Sequence, residues 1–353
     1  MMKRQFLWGV IASLILACGT TKSIVNEEQV AVTSVPEMEE RTLDTLFVTP
    51  DLNTEQETFD HTLPQYRETT KRTIDLVHTK LDLRFDWNNE TVIGKAILIL
   101  KPYFYSTKSF SLDAKGFQIN ELVLLGNGPG ITYQYDGMQI NVILDQEIDR
   151  EDTIELLIDY LAHPAEGEEG SLSISSDRGL FFINARGEDP SKPQQIWTQG
   201  ETEFNSRWFP TVDKPNEKTT QEISLTVDEK FKTLSNGILK QSINNSDGTR
   251  TDHWVMDKPH APYLCMIAIG DYALVEEKWK DIPVQYYVEH PYKDDAEEIF
   301  KHTPEMLTFF SNSSKGIPVS IKKSVMSGIF FRSSGFMICI GLVPITPIIS
   351  SRP

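Results

Sequence analysis

Chemistry-bearing residues concentrate in one stretch, Trp197-Thr198-Gln199-Gly200-Glu201-Thr202-Glu203-Phe204-Asn205-Ser206-Arg207-Trp208-Phe209-Pro210-Thr211-Val212-Asp213-Lys214-Pro215. A solvated loop has no need of these aromatic rings, and a core strand does not hold so many carboxylates. The mixture suits a rigid loop that presents a polar recognition point, with Gln199 and Glu201 two residues apart. It equally suits a structural corner closed by an aromatic plug, and composition alone leaves both readings open. The 7 histidines are His61, His78, His163, His253, His260, His290 and His302, and no two stand at i, i+4. A helix-borne pair of zinc ligands is therefore not present. His253 and His260 lie seven positions apart near a strand pair and are not read as ligands.

The elements that must position the loop read as β. Val77, Thr79, Leu81, Leu83, Phe85 and Trp87 alternate with His78, Lys80, Asp82, Arg84 and Asp86. That is the period of a half-buried strand, with His78 on its polar side as a surface histidine. Val92 to Leu100 is a second strand with Gly94 inside it, after the turn Trp87-Asn88-Asn89-Glu90. Short apolar runs follow at 110–112, 122–125, 140–144, 154–160, 180–183, 223–227 and 254–256. Many short strands separated by Gly, Asn, Asp and Pro predict a mainly β fold, an antiparallel sandwich or saddle-shaped sheet. Val284–Val288 is one further strand. The spacing then predicts a helix over 294–310, acidic in its first turn and kinked at Pro304.

The start of the chain reads as a targeting segment. Lys3 and Arg4 precede an apolar run from Phe6 to Ala17 that is too short to span a bilayer. Leu14-Ile15-Leu16-Ala17-Cys18-Gly19 resembles the bacterial lipobox, which makes residues 1–18 a lipoprotein signal peptide and Cys18 the lipidated residue of the mature chain. A plain signal peptide cut elsewhere is the alternative. Residues 19–65 form a flexible tether. The expected location is the bacterial cell envelope, outside the cytoplasm and anchored to a membrane by lipid. The net charge of −17 argues against a nucleic-acid partner. With Cys18 lipidated, Cys265 and Cys339 are too few for a disulfide framework, and Cys265 reads as a small core residue.

Several segments, in order, resemble the N-terminal portion of the aminopeptidase N family, zinc exopeptidases related to leukotriene hydrolase. They are Ser111-Leu112-Asp113-Ala114-Lys115, Gly179-Leu180-Phe181-Phe182, and Thr198-Gln199-Gly200-Glu201 with Arg207-Trp208-Phe209-Pro210 and Asp213-Lys214-Pro215. Leu234-Ser235-Asn236-Gly237, Ala261-Pro262-Tyr263-Leu264 and Gly270-Asp271-Tyr272 complete the set. The resemblance covers about residues 70 to 318. It implies an N-terminal β domain over 66–275 and the start of an α/β, thermolysin-like catalytic domain over 276–318. It also implies that Gln199 and Glu201 bind substrate, holding the free α-amino group of a peptide, while Arg207 and Asp213 brace the loop.

The family's zinc-dependent chemistry needs a Gly-x-Met-Glu-Asn segment and a His-Glu-x-x-His helix, and this sequence has neither. Gly335-Phe336-Met337 is followed by Ile338 and Cys339 instead of Glu and Asn, so it receives no role. No Asp or Glu follows Glu305. Residues 319–353 therefore read as a divergent tail, the product of a frameshifted reading; a membrane segment over 336–349 is a rival weakened by Pro344 and Pro347. Expected of these 353 residues are no bound cofactor or metal, no catalytic residues and no peptide cleavage, with zinc belonging to the intact family. The expected partner is a peptide with a free N-terminus. The alternative is a non-catalytic cell-surface β module that binds peptides or another protein.

Overall fold

In a computed structural model the described residues are 71–167 and 177–313, with the strands Met326–Phe330 and Cys339–Ile340 described through their backbone. The chain divides into two units, 1–67 and 68–353, and all described residues belong to the second. Cys18, the 19–65 tether and most of the 319–353 tail lie outside the described residues.

The first strands are β1 (Ile74–Asp86), β2 (Thr91–Pro102), β3 (Thr107–Asp113), β4 (Phe117–Leu125), β5 (Ile131–Tyr135), β6 (Gln139–Ile148) and β7 (Ile154–Ala162). They are followed by β8 (Leu180–Ile183), β9 (Gln195–Thr198), β10 (Thr219–Asp228), β11 (Lys232–Ser235), β12 (Ile238–Asn244), β13 (Thr249–His260) and β14 (Ile267–Gly270). Then come β15 (Tyr272–Trp279), β16 (Ile282–Glu289), α1 (Lys293–Phe300), α2 (Thr303–Ser313), β17 (Met326–Phe330) and β18 (Cys339–Ile340). A seven-stranded sheet has the order β12-β13-β10-β1-β2-β7-β4 and is antiparallel except where β1 meets β10. Two smaller antiparallel sheets, β11-β14-β9-β8 and β3-β6-β5, share one hydrophobic core with it. The mainly β expectation holds, and each apolar run named between 110 and 256 falls in a strand.

Strict alternation builds that core. Ile154, Leu156, Ile158, Tyr160 and Ala162 of β7 all face inward, opposite Leu100, Leu98, Ala96, Gly94 and Val92 of β2. Gly94 sits directly across from Tyr160, and a Cβ there would lie 2.2 Å from the ring. The glycine is thus a seat for an aromatic ring, which is one of the uses of glycine inside a strand. In β1 the alternation slips. Leu76 is fully buried and Val77 is 38% exposed, because the β1–β2 register shifts between Leu76 and His78. The inward reading of Leu81 and Leu83 stands, whereas Val77 points out. A bulge of this kind is local to the pairing and leaves no mark in hydrophobic period.

A second, smaller core joins β15 and β16 to the helices through Ala273, Trp279, Val284, Tyr286, Val288, Ala296 and Leu307. Residue 275 falls inside β15. The helix expected over 294–310 is two helices, with the break at Lys301-His302. Pro304 lies in the first turn of α2, where its missing N–H has no intrahelical partner to lose, so it starts a helix rather than kinking one.

Candidate functional site

Strand β9 delivers Gln199 and Glu201, and hydrogen bonds hold the backbone on either side of them. All four residues of β9 are buried between β8 and β14. Thr198 Oγ1 accepts the Ile267 amide at 3.0 Å, and the Gln199 amide donates to the Gly179 carbonyl at 2.9 Å. Gly179 has φ +69°, and a Cβ on it would meet the Phe204 carbonyl oxygen at 2.0 Å. Only glycine fits that approach. The loop then turns back on itself, with the Phe204 amide donating to the Gly200 carbonyl at 3.0 Å.

Asn205 is the centre of the loop and is completely buried. Its Nδ2 donates to the carbonyls of Pro262 (2.6 Å) and Cys265 (2.9 Å), and its Oδ1 accepts the Trp208 indole N–H at 2.8 Å. A Cβ on Gly200 would lie 2.5 Å from this side chain, so Gly200 makes room for it. Trp208 and Phe209 fill the core beneath, 4.5 Å apart edge to face, and Tyr160 donates its hydroxyl hydrogen to the Trp208 carbonyl at 3.0 Å. The aromatic plug and the polar presentation are therefore one structure: the rings anchor the loop whose other side carries Gln199 and Glu201.

Charged groups brace the flank. Arg207 pairs with Asp177 at 2.5 Å. Asp213, 2% exposed, accepts the Ser206 amide at 2.9 Å, and its own amide donates to Asp113 Oδ2 at 2.9 Å. Burial pushes the Asp213 carboxyl up, and the Ser206 amide and Lys115 pull it back. Lys115 Nζ donates to the Glu203 carbonyl, while Lys214 pairs with the Glu203 carboxylate at 2.5 Å. The segment Ser111–Lys115 and the loop 197–215 thus meet in space, joined also by backbone bonds between Asp113 and Thr211. Spacing gave no sign of Asn205, since two of its three partners lie 57 and 60 residues away.

Against this pinned surround, Gln199 is half-buried and Glu201 exposed. Neither side chain has a hydrogen-bond or ion-pair partner among the described residues. An amide oxygen and a carboxylate left free on a rigid loop can accept hydrogen bonds from a cationic donor. A cavity of about 250 Å³ behind the loop is lined by Asp113, Lys115, Asp136, Glu203, Asp213 and Lys214. Its four carboxylates outnumber its two lysines, and neither Gln199 nor Glu201 lines it.

The described residues contain no group of three or more His, Cys, Asp or Glu side chains placed to hold a metal ion. His253 sits beside Glu222 (3.5 Å) and Ser224 Oγ (3.1 Å), whereas His260 is buried against Gln221 (3.0 Å) and the Lys258 carbonyl (3.1 Å). They do not converge. Among the described residues, no set of donors fits a zinc centre.

Comparison with known proteins agrees with the geometry. The sequence profile of the Peptidase M1 N-terminal domain matches residues 63–264, more than half of the chain. Glutamyl aminopeptidase of Mus musculus is 28% identical over 105 residues, 30% of this chain and 11% of that protein. Transcription initiation factor TFIID subunit 2 of Gallus gallus is 26% identical over 132 residues, 36% of this chain and 11% of that protein. Among solved structures, a mutant two-domain M1 zinc metallopeptidase bound to L-arginine aligns with a TM-score of 0.53 at 15% identity, over 62% of this chain and 49% of that one. A mutant M1 zinc metallopeptidase from Deinococcus radiodurans, bound to Tyr-Ser-Ala, gives a TM-score of 0.53 at 16% identity, over 62% and 48%. The chain thus spans about a tenth of these curated relatives and about half of these solved structures. The protein belongs to the M1 peptidase family through an N-terminal domain occupying residues 63–264.

Proposed function

We propose that this domain is the amine-recognising part of a lipid-anchored zinc aminopeptidase, in which Gln199 and Glu201 hold the free N-terminus of a peptide. The observation that carries the proposal is a pair of polar side chains with no partner among the described residues, on a loop held by the buried Asn205 and by the ion pairs of Glu203 and Arg207. An ammonium has three donors, and a carboxylate with an amide oxygen is a matched set of acceptors. An internal peptide bond offers no charge at that point, so such a site selects chain ends.

The zinc ligands and the water-activating group of the family are not in these 353 residues. Alone, the chain is expected to bind peptide termini weakly and not to cleave them. Adding millimolar Tyr-Ser-Ala to isotope-labelled protein tests this by nuclear magnetic resonance. Shifts confined to amides of 199–203 and their contacts are expected; none there, or shifts only elsewhere, overturns the assignment. Release of tyrosine in the same tube, stopped by a chelator, contradicts the expected inactivity. The anchor at Cys18 is checked by incorporation of labelled fatty acid, which Cys18→Ser must abolish.

A second reading, a non-catalytic binding module, is favoured by the similarity to a transcription initiation factor subunit, a relative not named for peptide hydrolysis. The same titration separates the two. A module that binds another protein has no requirement for a free amine.

A further inference from the structure

Tyr105 is 82% exposed and Phe104 57%, and both sit in the four-residue connection between β2 and β3. Tyr105 is the most exposed of the large apolar side chains in the described structure. The connection is short and held from both sides. The Tyr103 amide donates to the Thr73 carbonyl at 3.0 Å, and the Arg72 guanidinium lies 4.0 Å above the Tyr103 ring. Arg72 is itself clamped by Glu217 at 2.6 Å. The two exposed rings are therefore displayed by a rigid base. Residues 71–73, where the polypeptide enters the described domain, are part of that base.

Charges of both signs are equal in number over residues 71–75, 101–108 and 149–152 together with Glu217. Lys71, Arg72, Lys101, Lys108 and Arg150 stand against Asp75, Glu217, Asp149, Glu151 and Asp152. That balance contrasts with the net charge of −17 of the whole chain. Arg150 lies over the Phe104 ring with 5.5 Å between guanidinium carbon and centroid. Amphipathic aromatic rings flanked by long cations suit the headgroup level of a bilayer, where a ring is half buried and a guanidinium reaches phosphate. Most of the acidic surface would be repelled by an anionic bilayer, and this patch would not.

We propose that the Tyr103–Ser106 connection is a membrane-contact tip, seating Phe104 and Tyr105 in the headgroup region next to the point where the polypeptide enters the domain. The proposal rests on the lipid-anchored reading of Cys18. The tip supplies a contact besides the lipid and selects one orientation of the domain on the surface. Two weak membrane contacts on one chain reinforce each other by effective concentration.

The test uses the full chain acylated at Cys18, on vesicles of phosphatidylethanolamine and phosphatidylglycerol carrying a photoactivatable phospholipid. After flotation and illumination, lipid adducts are mapped by mass spectrometry. Adducts concentrated in residues 103–106, and lost from that segment in the F104S/Y105S double variant while the variant still floats, are expected. Adducts spread equally over other exposed apolar sites, such as Leu239, Ile243, Phe309 and Phe310, overturn the tip. A chain that fails to float, and behaves like Cys18→Ser, removes the anchor reading instead. In that event adducts at 103–106 in excess lipid still uphold the contact, and their absence overturns it.

Discussion

Replacing Asn205 should unfasten the candidate site from its scaffold, and the cost follows from the partners it leaves behind. Asn205→Ala deletes three hydrogen bonds in a fully buried position. The Pro262 carbonyl keeps one partner, because it also accepts the Cys265 amide at 2.8 Å. The Trp208 indole N–H and the Cys265 carbonyl lose theirs. Each buried group left unpaired costs about 1–3 kcal/mol, so a loss of about 3 kcal/mol is expected. Asn205→Asp should do worse despite its matching shape. One carboxylate oxygen can still accept from Trp208, but the other replaces a donor between two carbonyl oxygens and buries a charge. Urea unfolding followed by tryptophan fluorescence reads both variants. With a slope of about 3 kcal/mol per molar, the Ala variant should unfold about 1 M earlier with little change in slope. A shift corresponding to under about 1 kcal/mol, or an Asp variant as stable as the wild type, would refute the hub role of Asn205.

Gly179→Ala should be insoluble or destabilised by more than about 2 kcal/mol, since it combines a positive φ of +69° with a clash against the Phe204 backbone; a stable, soluble variant would contradict the close approach. Burial pushes the His260 imidazole below its ordinary value of 6.5, so His260 contributes stability that is present above pH 6.5 and lost as pH falls through its lowered folded value. His260→Gln should flatten that part of the stability curve, measured as thermal midpoint against pH; an unchanged slope speaks against it. Burial is the largest single influence on the Asp252 carboxyl and pushes it up, but the bonds it accepts from Arg250, Ser242 and Thr233 together outweigh burial and hold it below the usual range. Its stabilisation should be present above pH 3.8 and fade as pH falls through the lowered folded value. Asp252→Ala should cost about 3 kcal/mol in chemical unfolding by stranding a half-buried guanidinium, and a near-neutral effect would argue against that network.

The strands were legible because alternation survives in β2 and β7, where each inward residue has an inward partner. What escaped reading is what depends on distant contacts. Gly94 looks like a weak point until Tyr160 is placed across from it, 66 residues later in the sequence. The outward turn of Val77 comes from a register shift that composition does not encode. Pro304 signals a break in helical pattern, but whether it kinks one helix or begins another depends on packing by Leu307 and Ala296. In the loop, Gln199 and Glu201 stood out by type and spacing, and the bracing of Arg207 and Asp213 matches their expected role. Asn205 gave no such signal, although it does most to shape the loop, because its three bonds close only in the folded chain.

The central claim is that Glu201 recognises a free α-amino group, and calorimetric titration with Tyr-Ser-Ala and its N-acetylated form tests it most directly. Glu201 is exposed, so its contribution to an ion pair is about 0.2–1 kcal/mol, or a preference of up to about five-fold for the free amine. The account predicts that preference in the wild type and its loss in Glu201→Gln, with the acetylated peptide bound equally by both. Equal binding of the two peptides by the wild type, or a preference that survives Glu201→Gln, would contradict it.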